Sequence, residues 1–190
     1  MMESLRAAMD GVPDPRLRRG RRYPQGAMLT LAVVAMLAGA RSVYAIAQWG
    51  RDHAQEAAAA LGFTRQRTPS VATFHRLLRD VDRAAFEGVL AAWLQAQVGG
   101  GEAVAVDGKT LRGSRQEGMP GVHLVAASAP QWGVVLDQEG VGAKEGELTA
   151  LRALLERLPL AGRVVTGDAQ FTQRDVCEGI VEKGGTTSSP

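Results

Sequence analysis

Residues 103–107 read Ala-Val-Ala-Val-Asp, and residues 163–168 read Arg-Val-Val-Thr-Gly-Asp. Each is a short valine-rich run that leads into an aspartate. Runs this short and this β-branched predict buried strands rather than helices. Between them, His123–Ala129 and Val134–Asp137 flank Pro130-Gln131-Trp132-Gly133, the pattern of a hairpin. Leu148, Leu151, Leu154, Leu155 and Leu158 follow at helical spacing and stop at Pro159. From Thr172 onward, Val176, Ile180 and Val181 mark a second helix, closed by Gly184-Gly185. The order strand, hairpin, helix, strand, helix predicts an α/β unit with a mixed sheet. The tail, Thr186 to Pro190, is polar and unperiodic, and no strand is predicted there.

Upstream of this unit the periodicity changes. Gly99-Gly100-Gly101 reads as a hinge. Before it, Pro24 suits the first turn of a helix carrying Leu29, Val33, Val34 and Leu37, with Gly39 as its stop. Ser42 is placed to cap a second helix through Val43, Ile46, Trp49 and the Ala57–Ala60 run, as far as Gly62. Thr68-Pro69-Ser70 is a turn and cap signal. Behind it, Val71, Phe74, Leu77, Leu78 and Val81 form one stripe, and Phe86, Val89, Leu90, Trp93 and Leu94 form another. Residues 1–23, with Pro13, Pro15 and a cluster of arginines, show no period and read as a basic arm. The expected organisation is therefore an arm over 1–23, a small all-α domain over 24–98, a glycine hinge over 99–102 and the α/β unit over 103–190.

Composition bounds the function. The chain has 190 residues, 45% hydrophobic and 22% charged, which is ordinary for a globular protein. One cysteine excludes an internal disulfide, and no Cys/His spacing suits zinc, which points to a reducing, cytoplasmic setting. Ala27–Ala40 is apolar but has only fourteen residues, short of the roughly 20 that cross a bilayer, so a buried core helix and no membrane is expected. The net charge is only +2, but it is unevenly spread. Residues 1–100 hold thirteen Arg, no Lys and eight acids; residues 101–190 hold nine basic residues and twelve acids. An arginine-rich front and an acidic back predict two parts with different tasks. The densest cluster is Arg16, Arg18, Arg19, Arg21 and Arg22.

Asp107 and Asp168 carry the candidate chemistry. Side chains at strand ends project from rigid elements, and ligand sites of open sheets gather there. If the two strands are neighbours, the carboxylates converge. Oxygen-only ligation of this kind suits Mg²⁺ or Mn²⁺, and such ions can hold the attacking and leaving oxygens of a phosphoryl transfer. The plainer alternative is that each aspartate simply opens a turn. Lys109, Arg112 and Arg115 could lie along a nucleic-acid backbone or form a solvated loop. Gly108-Lys109-Thr110 is not a phosphate-binding loop, because the glycine required five positions earlier is Ala103. Glu147 in a first helical turn is explained by the helix dipole, with an auxiliary acid near the metals as the other reading. His53, His75 and His123 have no partners visible in the sequence, and Cys177 has no basic activator. The turn at Thr68–Ser70, with Arg76 and Arg79 on the next helix, could be a helix-turn-helix.

Several stretches together resemble bacterial insertion-sequence transposases of the DDE type, in the H-repeat-associated branch. They are DPRLRRGRRYPQGAMLTLAVVAMLAGARSVYAIAQWGR from Asp14, TPSVATFHRLLRDVD from Thr68, VAVDGKTLRGS from Val104, HLVAA from His123 and VVTGDAQFTQRDV from Val164. The resemblance covers nearly all of residues 14–185. It implies an incomplete ribonuclease-H-like mixed sheet behind the helical domain, and metal-dependent cleavage and strand transfer of transposon DNA. The family's first two catalytic, metal-binding aspartates fall on Asp107 and Asp168. The implied cofactor is Mg²⁺ or Mn²⁺. The implied partners are transposon-end DNA, contacted through Lys109, Arg112, Arg18, Arg19, Arg21 and Arg22, and a second copy or a full-length transposase. Two departures stand out. The family's usual histidine after Asp168 is Phe171 here, and no residue corresponds to the third acid. The expectation is a transposase fragment with its catalytic activity lost and the sheet edge beside its last strand left bare. The alternative is a non-catalytic DNA-binding or dimerising module.

Overall fold

The computed structural model describes residues 4–63, 67–98, 101–111, 113–115, 121–142, 146–169, 171 and 173–188. The chain forms two compact units, Met1–Trp93 and Leu94–Pro190.

The first unit is built on helices. They are α1 (Leu5–Met9), α2 (Gln25–Leu37), α3 (Val43–Asp52), α4 (Ala54–Leu61), α5 (Val71–Asp80) and α6 (Arg83–Gln97), the last ending in the second unit; a 3₁₀ turn spans Arg18–Gly20. Ser42 caps α3 as expected, its hydroxyl accepting from the Ala45 N–H at 3.1 Å. Gly39, at φ 97°, ends α2 with two closing bonds, Gly39 N–H to Met36 O and Ala40 N–H to Ala35 O. Helix α2 is apolar around nearly its whole circumference and is buried accordingly, from Gln25 through Val33. It is a core helix, and no helix among the described residues is long and apolar enough to cross a membrane.

Two sequence expectations change in this unit. The segment before Pro24 contains α1, and Met9 and Val12 sit in the core at 0% and 4% exposure. Five residues are too few to show a helical period, and so short a helix depends on its packing against α2. The buried Gln25 amide reinforces this by donating to Val12 O at 3.1 Å and Pro13 O at 2.8 Å. The long second helix is two helices, broken at His53. There the imidazole stacks on Trp49 and its Nδ1 lies 2.9 Å from Trp49 O.

The second unit holds a five-stranded mixed sheet. Its elements are β1 (Val104–Thr110), β2 (His123–Ala129), β3 (Val134–Gly140), α7 (Glu147–Arg157), β4 (Val164–Thr166), α8 (Arg174–Glu182) and β5 (Thr186–Ser188), with strand order β3-β2-β1-β4-β5. The β1–β2 and β2–β3 pairs are antiparallel; β1–β4 and β4–β5 are parallel. The core joins Leu151, Leu154 and Leu155 of α7 and Val176 and Ile180 of α8 to Val104, Val106, Val125, Ala127 and Val165 of the sheet.

Here too the structure corrects the reading. Strand β1 does not finish at Asp107 but runs three residues further, to Thr110, because the antiparallel pairing with β2 continues through Thr110↔His123. The tail thought to lack a strand supplies β5, so the edge of β4 is not bare. Thr186 donates its N–H to Arg163 O at 2.9 Å, and Val164, Val165 and Thr166 pair with Thr186, Thr187 and Ser188. All three β5 residues are exposed, so no apolar alternation announces the strand.

Candidate active site

The β1–β4 register builds the site. Val104 is level with Val165 and Ala105 with Thr166, a constant offset of 61 residues. Asp107 lies two residues beyond the last paired residue of β1, Ala105, and Asp168 two residues beyond the end of β4, Thr166. The backbone stays close over the intervening step, since a Cβ on Gly167 would lie 3.7 Å from Val106 O. Successive residues of a strand point to opposite faces. Asp107 therefore points to the face opposite Val104 and Val106, which are buried under the helices. Asp107 is accordingly open to solvent, and Lys109, two residues on, brings its Nζ to 3.3 Å from Asp107 Oδ2. After Asp168 the chain turns, Phe171 N–H donating to Asp168 O at 3.0 Å.

Carboxylates are hard oxygen donors of the kind that suit a small divalent cation, with water and phosphate oxygens completing its shell. No group of three or more His, Cys, Asp or Glu able to hold a metal occurs among the described residues. Glu147 is the nearest candidate in sequence terms, and the structure commits it elsewhere. It opens α7, as helix-dipole capping predicts, but its Oε1 lies 2.5 Å from His123 Nε2. His123 Nδ1 lies 2.9 Å from Thr110 Oγ1. The Glu147 carboxylate also occupies the space beside Gly108, where a Cβ would stand 3.0 Å from its Cδ and both oxygens. The chain Glu147–His123–Thr110 thus fastens α7, β2 and β1 together beside Asp107. The sequence could not reveal it, because its members are 24 and 13 residues apart.

Phe171 is buried at 5% exposure in the core of this unit. The departure from the family's histidine therefore falls on a packing position in this chain.

The arginine cluster does not act as one surface. Arg16 grips Asp14 through two bonds, at 2.8 and 2.9 Å, and also donates to Tyr23 O. Arg21 donates to Arg16 O and Asp14 O. The hydrogen bond from Arg16 holds the Asp14 carboxyl below its ordinary value, with burial opposing and the charges of Arg16 and Arg21 helping. Arg19 and Arg22 line a concavity of the first unit together with Arg16, Arg51, Arg67 and Arg76. Arg18 lies in the 3₁₀ turn and is exposed. Arg112 lies outside the described residues.

Comparison with known proteins completes the site's context. Two family models match the chain, DDE_Tnp_1-associated over residues 6–94 and Transposase DDE domain over residues 99–190. YncI of Escherichia coli strain K12, provisionally named a transposase, is 33% identical over 186 residues, which is 96% of this chain and 75% of YncI. YncI of Escherichia coli O157:H7 is 32% identical over 96% of this chain and 47% of its own length. YhhI of strain K12, an H repeat-associated protein with the same provisional naming, is 27% identical over 92% of this chain and 47% of its own. The chain therefore spans about half the length of two of these relatives and three-quarters of the third. A piggyBac transposase in a synaptic complex with hairpin DNA overlays at TM-score 0.46 and 11% identity, over 86% of this chain and 41% of that one, a likeness too remote to establish a shared fold.

Proposed function

Because the chain belongs to the DDE transposase family, we propose that its second unit carries the first two acids of a metal-dependent DNA phosphoryl-transfer site, Asp107 and Asp168. The observation that carries this reading is the parallel β1–β4 pairing, whose offset of 61 residues, carried two residues past Ala105 and Thr166, would bring Asp107 level with Asp168. The strand order and the mix of parallel and antiparallel pairs support a ribonuclease-H-like sheet as the scaffold.

A divalent ion bound there, Mg²⁺ or Mn²⁺, would activate the attacking oxygen and stabilise the leaving one. The chain's own work is positional. Asp107 and Asp168 supply the oxygens that hold the cation, and they do so from strands whose pairing leaves them little freedom. Lys109 screens Asp107 before loading and is free to swing to a DNA phosphate once the carboxylate is engaged, a role Arg112 shares. The Glu147–His123–Thr110 chain keeps the β1–β2–α7 corner rigid beside the reacting groups. Two carboxylates position a cation less firmly than three. A misplacement of about 1 Å can cost about 10²-fold in rate. The 190-residue chain alone is therefore expected to bind metal weakly and not to complete strand transfer, although the parent activity is DNA cleavage and joining. A non-catalytic DNA-binding role is the second reading, favoured by the arginine-lined concavity of the first unit.

The test is Mn²⁺ binding followed by calorimetry or by the relaxation of bulk water protons, for the chain and for Asp107→Asn and Asp168→Asn. Each substitution should abolish binding while leaving the thermal transition in place. Binding unaffected by either change overturns the site. Efficient Mn²⁺-dependent strand transfer by the pure chain, lost in Asp107→Asn, would keep the site and overturn the claim of inactivity.

A further inference from the structure

Among the described residues, six arginines converge on one concavity of the first unit and no acidic residue lines it. They come from distant parts of the chain. Arg16, Arg19 and Arg22 belong to the segment around the 3₁₀ turn, Arg51 to the end of α3, Arg67 to the approach to α5, and Arg76 to α5 itself. Asp14 neutralises Arg16. Arg51 donates to the neutral amide oxygen of Gln48 and lies over the Tyr44 ring, 6.0 Å from its centre. By contrast Arg79, also on α5, is closed by Asp80 at 2.6 and 2.9 Å and is not on the wall.

Like charges gathered with fewer counter-charges than cations repel one another, and a concave wall strengthens their field. A fold tolerates this where an anion occupies the space. The rest of the wall suits the same ligand. Thr68, Ser70 and Thr73 place hydroxyls on it; Ser70 and Thr73 share a hydrogen bond at 3.1 Å, and the buried Thr68 Oγ1 has no hydrogen-bond partner among the described residues. The N-terminal turn of α5 adds orphan N–H groups and the positive end of its dipole.

One phosphate is satisfied by two or three guanidinium groups, so this wall has more positive charge than a single small anion can use. Successive phosphates of a nucleic-acid backbone match it. Tyr23 is the aromatic residue on the wall, and its ring is engaged edge-on by Phe63 at 5.9 Å. A wall without open aromatic platforms suits a duplex, whose bases are stacked inside, better than a single strand. We propose that this concavity seats the sugar-phosphate backbone of duplex DNA, with Arg19, Arg22, Arg51, Arg67 and Arg76 on the phosphates. The proposal rests on the reading that this chain acts on DNA, and it changes which residues of the sequence cluster take part.

The experiment is fluorescence anisotropy of the full chain with a dye-labelled duplex of about 30 base pairs and arbitrary sequence. It is run in EDTA across about 50–200 mM salt, a span over which phosphate contacts reveal themselves. The test variant is Arg51→Gln/Arg67→Gln/Arg76→Gln. The control, Arg83→Gln/Arg152→Gln/Arg174→Gln, removes three cations already paired with Glu87, Asp175 and Glu178. Each lost phosphate contact lowers the slope of log K against log salt by about 0.9, so the test variant should lose about 2–3 units of slope, and the control less than one. Circular dichroism confirms that both variants are folded. Equal losses from both variants would show only a net-charge effect and overturn the concavity. Wild-type binding left intact by the test variant would overturn the concavity while leaving DNA as the substrate. Failure of the wild-type chain to bind duplex DNA at any salt would overturn both, and tighter binding of duplex RNA would overturn the choice of DNA.

Discussion

Gly108→Ala probes the corner beside Asp107, and its sign depends on one neighbour. Gly108 is not in the left-handed region, so alanine fits its backbone. Alanine inside a strand is ordinarily worth about 0.5–1 kcal/mol over glycine. The neighbour is the Glu147 carboxylate, three of whose atoms would lie 3.0 Å from the new Cβ. Ordinary contact needs some tenths of an ångström more, and the carboxylate cannot give way without leaving His123 Nε2, 2.5 Å from its Oε1. The two side chains are 25% and 30% exposed, enough water to place the loss at the lower end for a hydrogen bond to a charged group, about 1.5 kcal/mol. Gly108→Ala alone should then destabilise the chain by about 0.5–1 kcal/mol, the lost bond outweighing the backbone gain. In the Glu147→Ala background the obstruction is gone, and the same change should stabilise by about 0.5–1 kcal/mol. The coupling energy of the double-mutant cycle is therefore about 1.5 kcal/mol, well above the few tenths expected of independent sites. Urea midpoints for the four proteins, at constant m-value, measure it. A Gly108→Ala effect of the same sign and size in both backgrounds would show that the Glu147 carboxylate does not obstruct the new Cβ.

Three further outcomes follow from other parts of the fold. Phe171→His, which restores the residue usual in the family, buries an imidazole in an apolar core and should destabilise by about 1–3 kcal/mol in thermal unfolding; an unchanged transition would mean the ring finds a partner there. The Asp14 carboxyl is depressed in the folded state, so the stability it contributes is fully present above its unfolded value, ordinarily 3.8, and is lost as pH falls through the lower folded one. Asp14→Asn should therefore weaken the chain near pH 7 and lose less on acidification to about pH 3, as read from urea midpoints, and equal acid losses in both proteins would contradict this. Thr186→Pro removes the N–H that bonds Arg163 O and should cost about 1 kcal/mol while exposing β4 amides to hydrogen exchange; unchanged exchange at Val165 would show that β5 does not protect that edge.

Whatever is written in short-range pattern was legible in the sequence. The valine runs leading into Asp107 and Asp168, the hairpin turn at Pro130–Gly133, the leucine repeat of α7 and the Ser42 cap all depend on neighbours within a few residues, and all stand where the pattern places them. The likeness to transposases was legible for the same reason, since VDGKTLRGS and TGDA are contiguous. What involves pairing or packing between distant segments was not. Helix α1 is too short to show a period, and β5 is too polar, so each exists because a neighbouring element receives it. The pairing of Val104 with Val165 and of Ala105 with Thr166, just before Asp107 and Asp168, spans an offset of 61 residues that only the fold sets. Glu147, His123 and Thr110 meet because the α7 start and the β2 start converge on β1. The arginines make the same point. Their crowding between positions 16 and 22 is visible in the sequence, but the fold pairs Arg16 and Arg21 with Asp14 and brings Arg51, Arg67 and Arg76 to stand with Arg19 and Arg22. Charge along a chain is one-dimensional, whereas the field a ligand meets is set by which side chains tertiary packing leaves unpaired on a common wall.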